Sequence, residues 1–305
     1  MTDSSSLLVG VQILTLVMGL ALAAGWDARS REVPDRLWQI VGLLGAAIGA
    51  ALLANGGAGP VLLWLLVAGF ALQHLFPWDE RWDGGSSRLP AIVEVVLYLG
   101  IGVVLFAAGW AYGFGADAVP IAAVAVYATV LLTRGLFEAR VLYGGADAKA
   151  VITVAVLLPL WSVPLLGQTS TLRALLQVTP FALTALVDAA VLVLAVPIWL
   201  AIRNARRAEF SFPKGFLGTS IGTDELPARF VWLSEPKLDG SAPRTELDTA
   251  VEDRERRVEQ ATELRARGIA RVWVTPQIPL VLFFALGAGL ALLLGNVLLD
   301  LVALL

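Results

Sequence analysis

The sequence predicts an all-α polytopic membrane protein of about eight transmembrane helices, with a small cytoplasmic α+β insertion before the last helix. Three observations predict it. The 305 residues are 58% hydrophobic and only 15% charged, with a mean hydropathy of +0.78, outside the range of soluble globular domains. Apolar runs long enough to span a bilayer as helix, roughly 17 to 25 residues, begin near Leu7, Leu37, Pro60, Pro90, Ala118, Val151, Phe181 and Ile278. The runs are continuously apolar, without the alternation of strands around a polar lumen, and this excludes a β-barrel.

Taken in order, the first run follows Met1 to Ser6, which carry no positive charge. No small-residue cleavage site introduces a polar mature domain, so the segment is expected to stay in the protein. The second and third runs are separated only by Asn55, Gly56, Gly57, Ala58, Gly59 and Pro60, and read as a helical hairpin. Runs four to seven follow. Between Arg203 and Pro276 the composition changes to thirteen Lys+Arg and twelve Asp+Glu, too balanced for a nucleic-acid surface. Within it, DTAVEDRERRVEQATELRARG sets Val251, Val258 and Leu264 near one face of a charged helix that stops at Gly268. Flanking FVWLSE and IARVWV read as short strands. The organisation expected is therefore residues 1–203 as a helical membrane domain, 204–276 as a soluble insertion and 277–305 as a final span.

Lysine and arginine beside membrane segments are retained in the cytoplasm. Arg29, Arg31, Arg36, Arg81, Arg88, Arg134, Arg140 and Lys149 fall in alternate connections, against Arg173 alone on the other face. This predicts both termini outside and the charged connections inside the cell.

With no cysteine, disulfides, thiolate nucleophiles and cysteine zinc sites are excluded. The single histidine, His74, reads as an interfacial or helix-packing residue, and no cofactor or metal is expected. Chemistry then falls to charges at the membrane, which are costly and usually placed for a reason: Asp27, Glu94, Asp147, Asp188 and Asp300. Asp300 reads as snorkelling or capping. Glu94 sits about one turn into its helix, where the positive end of the dipole favours it. Asp188 reads as a packing or hydrogen-bonding acid. Asp27 ends the first span and Asp147 opens the sixth, both at the cytoplasmic boundary. Two carboxylates meeting where water is scarce titrate as a coupled pair, one holding a proton while the other is charged. That is the requirement of an aspartic protease. Gly144 and Gly145 let backbone approach such a site closely.

At these residues the chain resembles the type IV prepilin and preflagellin peptidases, GxGD-type intramembrane aspartic proteases. Asp27 followed by Val33-Pro34-Asp35 is similar to the family's aspartate at the end of helix one and its Ile/Val-Pro-Asn/Asp turn. Gly144-Gly145-Ala146-Asp147-Ala148-Lys149 is similar to the G-x-G-D-x-K element carrying the second aspartate, with alanine for its second glycine as in the archaeal branch. The insertion followed by VWVTPQIPLVLFFALG resembles the archaeal arrangement of a cytoplasmic domain before the last helix. The resemblance implies Asp27 and Asp147 as catalytic acids, with Gly144, Gly145, Pro34 and Lys149 in support. It also implies a pilin-like or archaellin precursor as substrate, cut at the cytoplasmic face just before its apolar helix. Acidic Asp79, Glu80 and Asp83 could attract the basic leader, or form a solvated loop anchored by Trp78 and Trp82. Many bacterial relatives carry a cysteine-rich loop and methylate the new N-terminus; without cysteine, no methyltransferase activity is expected.

Two other classes compete. An ion-coupled secondary transporter would use Asp188 and Glu94 at broken helices, but its internal repeat is not visible. A non-catalytic scaffold would tolerate replacement of both aspartates. Within the proteases, the presenilin-like group would need a Tyr-Asp partner and a Pro-Ala-Leu element, both missing.

Overall fold

A segment surrounded by lipid must satisfy its own backbone polar groups, and helix is the local way to do so. In the computed structural model, which describes residues 3–55, 61–76, 91–112, 119–142, 144–161, 179–234 and 250–299, each of the eight apolar runs contains helix. In chain order these are α1 (Asp3–Ser30), α2 (Asp35–Asn55), α3 (Val61–Leu72, extended by a 3-10 turn, Gln73–Leu75), α4 (Ala91–Tyr112), α5 (Val119–Glu138) and α6 (Gly145–Leu157). They continue as α7 (Phe181–Val193), α8 (Ala195–Arg206) and, after the insertion, α11 (Leu280–Leu293).

The expected count of eight spans is met only in part. Five described segments are long and apolar enough to cross a membrane: 4–30, 35–54, 93–111, 120–138 and 181–206. Val61–Leu75 and Leu280–Leu293 are shorter apolar helices. Helix α6 has 13 residues and stops where Leu158 meets Pro159, whose ring disfavours helical backbone in the residue before it. The seventh run divides at Leu194, because Pro197 has no N–H and its ring opposes the carbonyl of Val193, four residues earlier.

The chain forms two units. In the first, residues 1–190 and 280–305, α6 lies at the centre. Every residue from Ala148 to Leu157 is buried, as expected of a helix covered on all sides, and α1, α2, α3, α5 and α11 pack around it. Small residues let backbones close in where lipid offers no hydrophobic gain from association. A Cβ on Gly45 of α2 would sit 2.8 Å from the Leu157 Cα, and one on Gly287 of α11 would overlap the Ala185 carbonyl oxygen of α7. Helix α4 is peripheral, with Val95, Val96, Leu99, Val103, Phe106 and Trp110 exposed, a surface suited to lipid.

The second unit, residues 191–279, contains α8, a short α9 (Lys214–Leu217), β1 (Thr219–Gly222), β2 (Val231–Leu233), α10 (Ala250–Ala266) and β3 (Arg271–Pro276). The strands form an antiparallel sheet in the order β1-β3-β2, with Ser220 opposite Trp273 and Trp232 opposite Thr275. FVWLSE contains β2, and IARVWV contains β3 as far as Val274, the strand running on to Pro276. Ile221, Leu226, Val231, Val272 and Val274 form a small core with Ala261 and Leu264 of α10. The helix stops as read, at Gly268 with φ +73. Its buried stripe differs: Arg257, Ala261 and Leu264 face inward while Val258 is exposed. At 100° per residue, position 258 lies a quarter-turn off the 257–261–264 line, and Val251 lies outside the residues whose side chains are described.

Candidate active site

Helix α1 ends by geometry built around Asp27. Arg31 takes a left-handed conformation, φ 60, which closes the last turn. Its backbone N–H donates to the Asp27 carbonyl at 3.1 Å and its guanidinium to the same oxygen at 2.9 Å. The chain then runs extended to Pro34, exposed, whose carbonyl accepts the N–H of Leu37 at 3.0 Å and which starts α2. This short reversal returns α2 along α1.

The Asp27 side chain is 7% exposed. Its Oδ2 accepts the backbone N–H of Leu282 at 3.4 Å, and Val281 also donates to the carboxylate. These are N–H groups of the first turn of α11, which have no partner inside their own helix. An acid from α1 thus caps α11, where the dipole favours negative charge.

Asp147 is the third residue of α6, after Gly144 at the N-cap. Its carboxylate turns back and accepts the Gly144 N–H, one half of a capping box. Gly144 is needed for this by its lack of a side chain: a Cβ there would overlap Asp147 Oδ2 and lie 3.0 Å from Cγ. Its φ of −90 is open to any residue. Gly145, Ala146 and Asp147 are helical, so alanine fits the position where the strict motif has its second glycine. The carboxyls of Asp27 and Asp147 are near enough to interact electrostatically. Helices α1 and α6 pack on one another, so separate helices bring the two predicted acids to one region, and each carboxylate accepts backbone N–H groups.

Lys149 takes a role the sequence left open. It is 2% exposed, and its Nζ donates to Asp35 Oδ1 at 2.8 Å. Two residues is about 200° of helix, which turns Lys149 toward α2 and away from the face of Asp147. The Val33-Pro34-Asp35 and Gly144–Lys149 elements are thereby joined by an ion pair at the starts of α2 and α6.

The other singled-out groups are engaged elsewhere. Asp188 is fully buried and its Oδ1 accepts the N–H of Val297 at 2.9 Å. Glu94 pairs with Arg134 at 3.8 Å, and Arg134 reaches Glu138 at 3.3 Å. His74 packs among helices, with Nε2 2.7 Å from the Tyr98 hydroxyl and Nδ1 3.1 Å from the Phe70 carbonyl. Trp78, Asp79, Glu80, Trp82, Asp83, Arg173 and Asp300 lie outside the described residues.

Sequence reasoning missed Gln12 and the structural part of Arg134. Gln12, buried in α1, donates its amide N–H to the carbonyl of Leu157, the last residue of α6. A lone amide inside the run LLVGVQILTLV is the signal for it. No protein-family model and no curated protein matches the chain.

Proposed function

We propose that this protein is an intramembrane aspartic endopeptidase that removes the short basic leader of type IV pilin-like or archaellin precursors at the cytoplasmic membrane face. What supports the reading is that Asp27 and Asp147 stand on two helices that pack together, with their carboxyls near enough to interact. One carboxylate is charged and takes a proton from water as the water oxygen bonds to the scissile carbonyl carbon. The other, protonated, gives its proton to the carbonyl oxygen. Collapse of the resulting diol breaks the C–N bond, the amine leaves with a proton, and the pair is restored.

On the positive-inside reading, the end of α1 and the start of α6 lie on the cytoplasmic side, where the leader of such a precursor would lie. Cleavage just before the apolar helix leaves that helix free to pack into a filament. No methyl transfer is expected. The transporter reading loses support because Asp188 and Glu94, its candidate ion carriers, serve a helix start and an ion pair.

The test is cleavage of a precursor pilin by the purified protein in liposomes, with mass spectrometry of the product. Release of the leader, weakened when its basic residues are replaced by glutamine, is expected. An intact precursor under all lipid compositions defeats the proposal.

A further inference from the structure

Just past α8 the chain exposes Phe210, Phe212, Phe216 and Leu217, Phe212 at 80%. Phe210 and Phe212 each meet the Phe216 ring edge-on, at 5.4 and 6.3 Å, so they form one cluster. A contiguous exposed patch, unlike scattered apolar residues, marks a surface meant to be covered. Arg206, Arg207 and Lys214, all exposed, lie in the same segment. Its one acid, Glu209, pairs with Arg271 at 2.7 Å.

The position of this knuckle is fixed. Asn204, fully buried in the last turn of α8, donates from Nδ2 to the carbonyls of Gly215 at 2.9 Å and Gly218 at 2.7 Å. Its own carbonyl accepts the Glu209 N–H at 3.0 Å. Helix α8 is the tail of the apolar run 181–206, which is long enough to cross a membrane. The knuckle is therefore tied to the turn at which that run ends. On α8 itself, Arg203 lies over the exposed Trp199 ring, 5.3 Å from its centroid, a pairing suited to the headgroup level.

We propose that residues 203–217 are a membrane-surface anchor, with Phe210, Phe212, Phe216 and Leu217 entering the boundary between headgroups and acyl chains, and Arg206, Arg207 and Lys214 pairing with anionic headgroups. Aromatic side chains beside a basic cluster are the chemistry by which a peripheral segment holds an anionic bilayer. The occupant follows from the charge and from continuity with a membrane-crossing run. The inference is independent of the peptidase reading.

Because the chain has no cysteine, a spin label can be attached to the full-length protein through a single Phe212→Cys change, with Glu259→Cys on the exposed face of α10 as the aqueous control. In vesicles containing phosphatidylglycerol, the label at 212 should be several-fold more accessible to oxygen, and less to a water-soluble nickel chelate, than the label at 259. Adding Arg206→Glu, Arg207→Glu and Lys214→Glu, or using phosphatidylcholine alone, should make it shallower. A label at 212 as aqueous as that at 259 overturns the anchor. Depth unchanged by lipid or protein charge overturns the headgroup pairing. Spin–spin broadening that grows with protein density assigns the patch to a second copy and overturns the proposal.

Discussion

The carboxylate of Asp27 in α1 accepts the backbone N–H of Leu282 at the start of α11, at 3.4 Å. One acid thus caps a distant helix while being the proposed partner of Asp147, and these duties separate by substitution. Asn keeps an acceptor for the Leu282 and Val281 donors but cannot ionise. Asp27→Asn should abolish precursor cleavage with thermal stability near wild type. Asp27→Ala should abolish cleavage and also cost about 1 kcal/mol, the usual loss for removing a cap. Asp147→Asn should be equally inactive. Processing retained by either Asn variant removes the dyad.

Gly144→Ala tests whether the turned-back carboxylate matters. The new methyl would overlap Asp147 Oδ2, so the acid must swing away while the helix start, at φ −90, tolerates alanine. A displacement of this size at a reacting group costs about a hundredfold in rate. Cleavage should fall by about that factor without loss of folded protein. Ala146→Gly, inside the helical first turn, should leave the carboxylate in place and cost no more than about 1 kcal/mol. Equal activity of Gly144→Ala and wild type would show that the Gly144 approach is incidental.

How much of this was legible in the chain differs between its parts. Helix was legible wherever the apolar run was continuous, and β2, β3 and the stop at Gly268 followed from local pattern. Span length was not, because Pro159 ends α6 inside a run that composition alone joins. Asp27 and Asp147 were visible as charges placed at the edges of apolar runs. The neighbour of Asp27, the start of α11, was not, since N–H groups without a partner in their own helix leave no mark in sequence. Lys149 read equally as substrate contact or membrane flank, and only the packing of α6 against α2 gives it Asp35.

That ion pair makes its own prediction. Lys149 is enclosed while the Asp35 side chain is 36% exposed, so solvent weakens the attraction and the pair should couple by about 1 kcal/mol. Removing the acid strands more charge than removing both. Asp35→Ala should therefore be less stable in detergent melts than the Asp35→Ala, Lys149→Met double variant. If the single and double variants melt alike, the pair does not secure α2 to α6.

The proposed chemistry needs one proton shared between two interacting acids. Cleavage should then follow a bell in pH: at the low end both carboxyls are protonated and no base remains, and at the high end both are ionised and none can polarise the carbonyl. Initial rates on a fixed precursor across the pH range, with folding followed in parallel, measure this. A rate that climbs to a plateau without falling would point to a single titrating group.

Asp188 separates the enzyme from the transporter. It is fully buried, and its Oδ1 holds the N–H of Val297 at 2.9 Å, the donor that opens the helical turn after Asn296. An amide oxygen can accept that N–H as well, so Asp188→Asn should keep the fold and most of the cleavage. Leucine cannot, and losing this half-buried hydrogen bond costs about 0.5–1.5 kcal/mol. Asp188→Leu should lower the melting temperature while the protein that stays folded still cleaves. If Asp188→Asn instead melts like wild type yet cleaves nothing, the acid's charge is part of the mechanism and the two-aspartate assignment has to be enlarged.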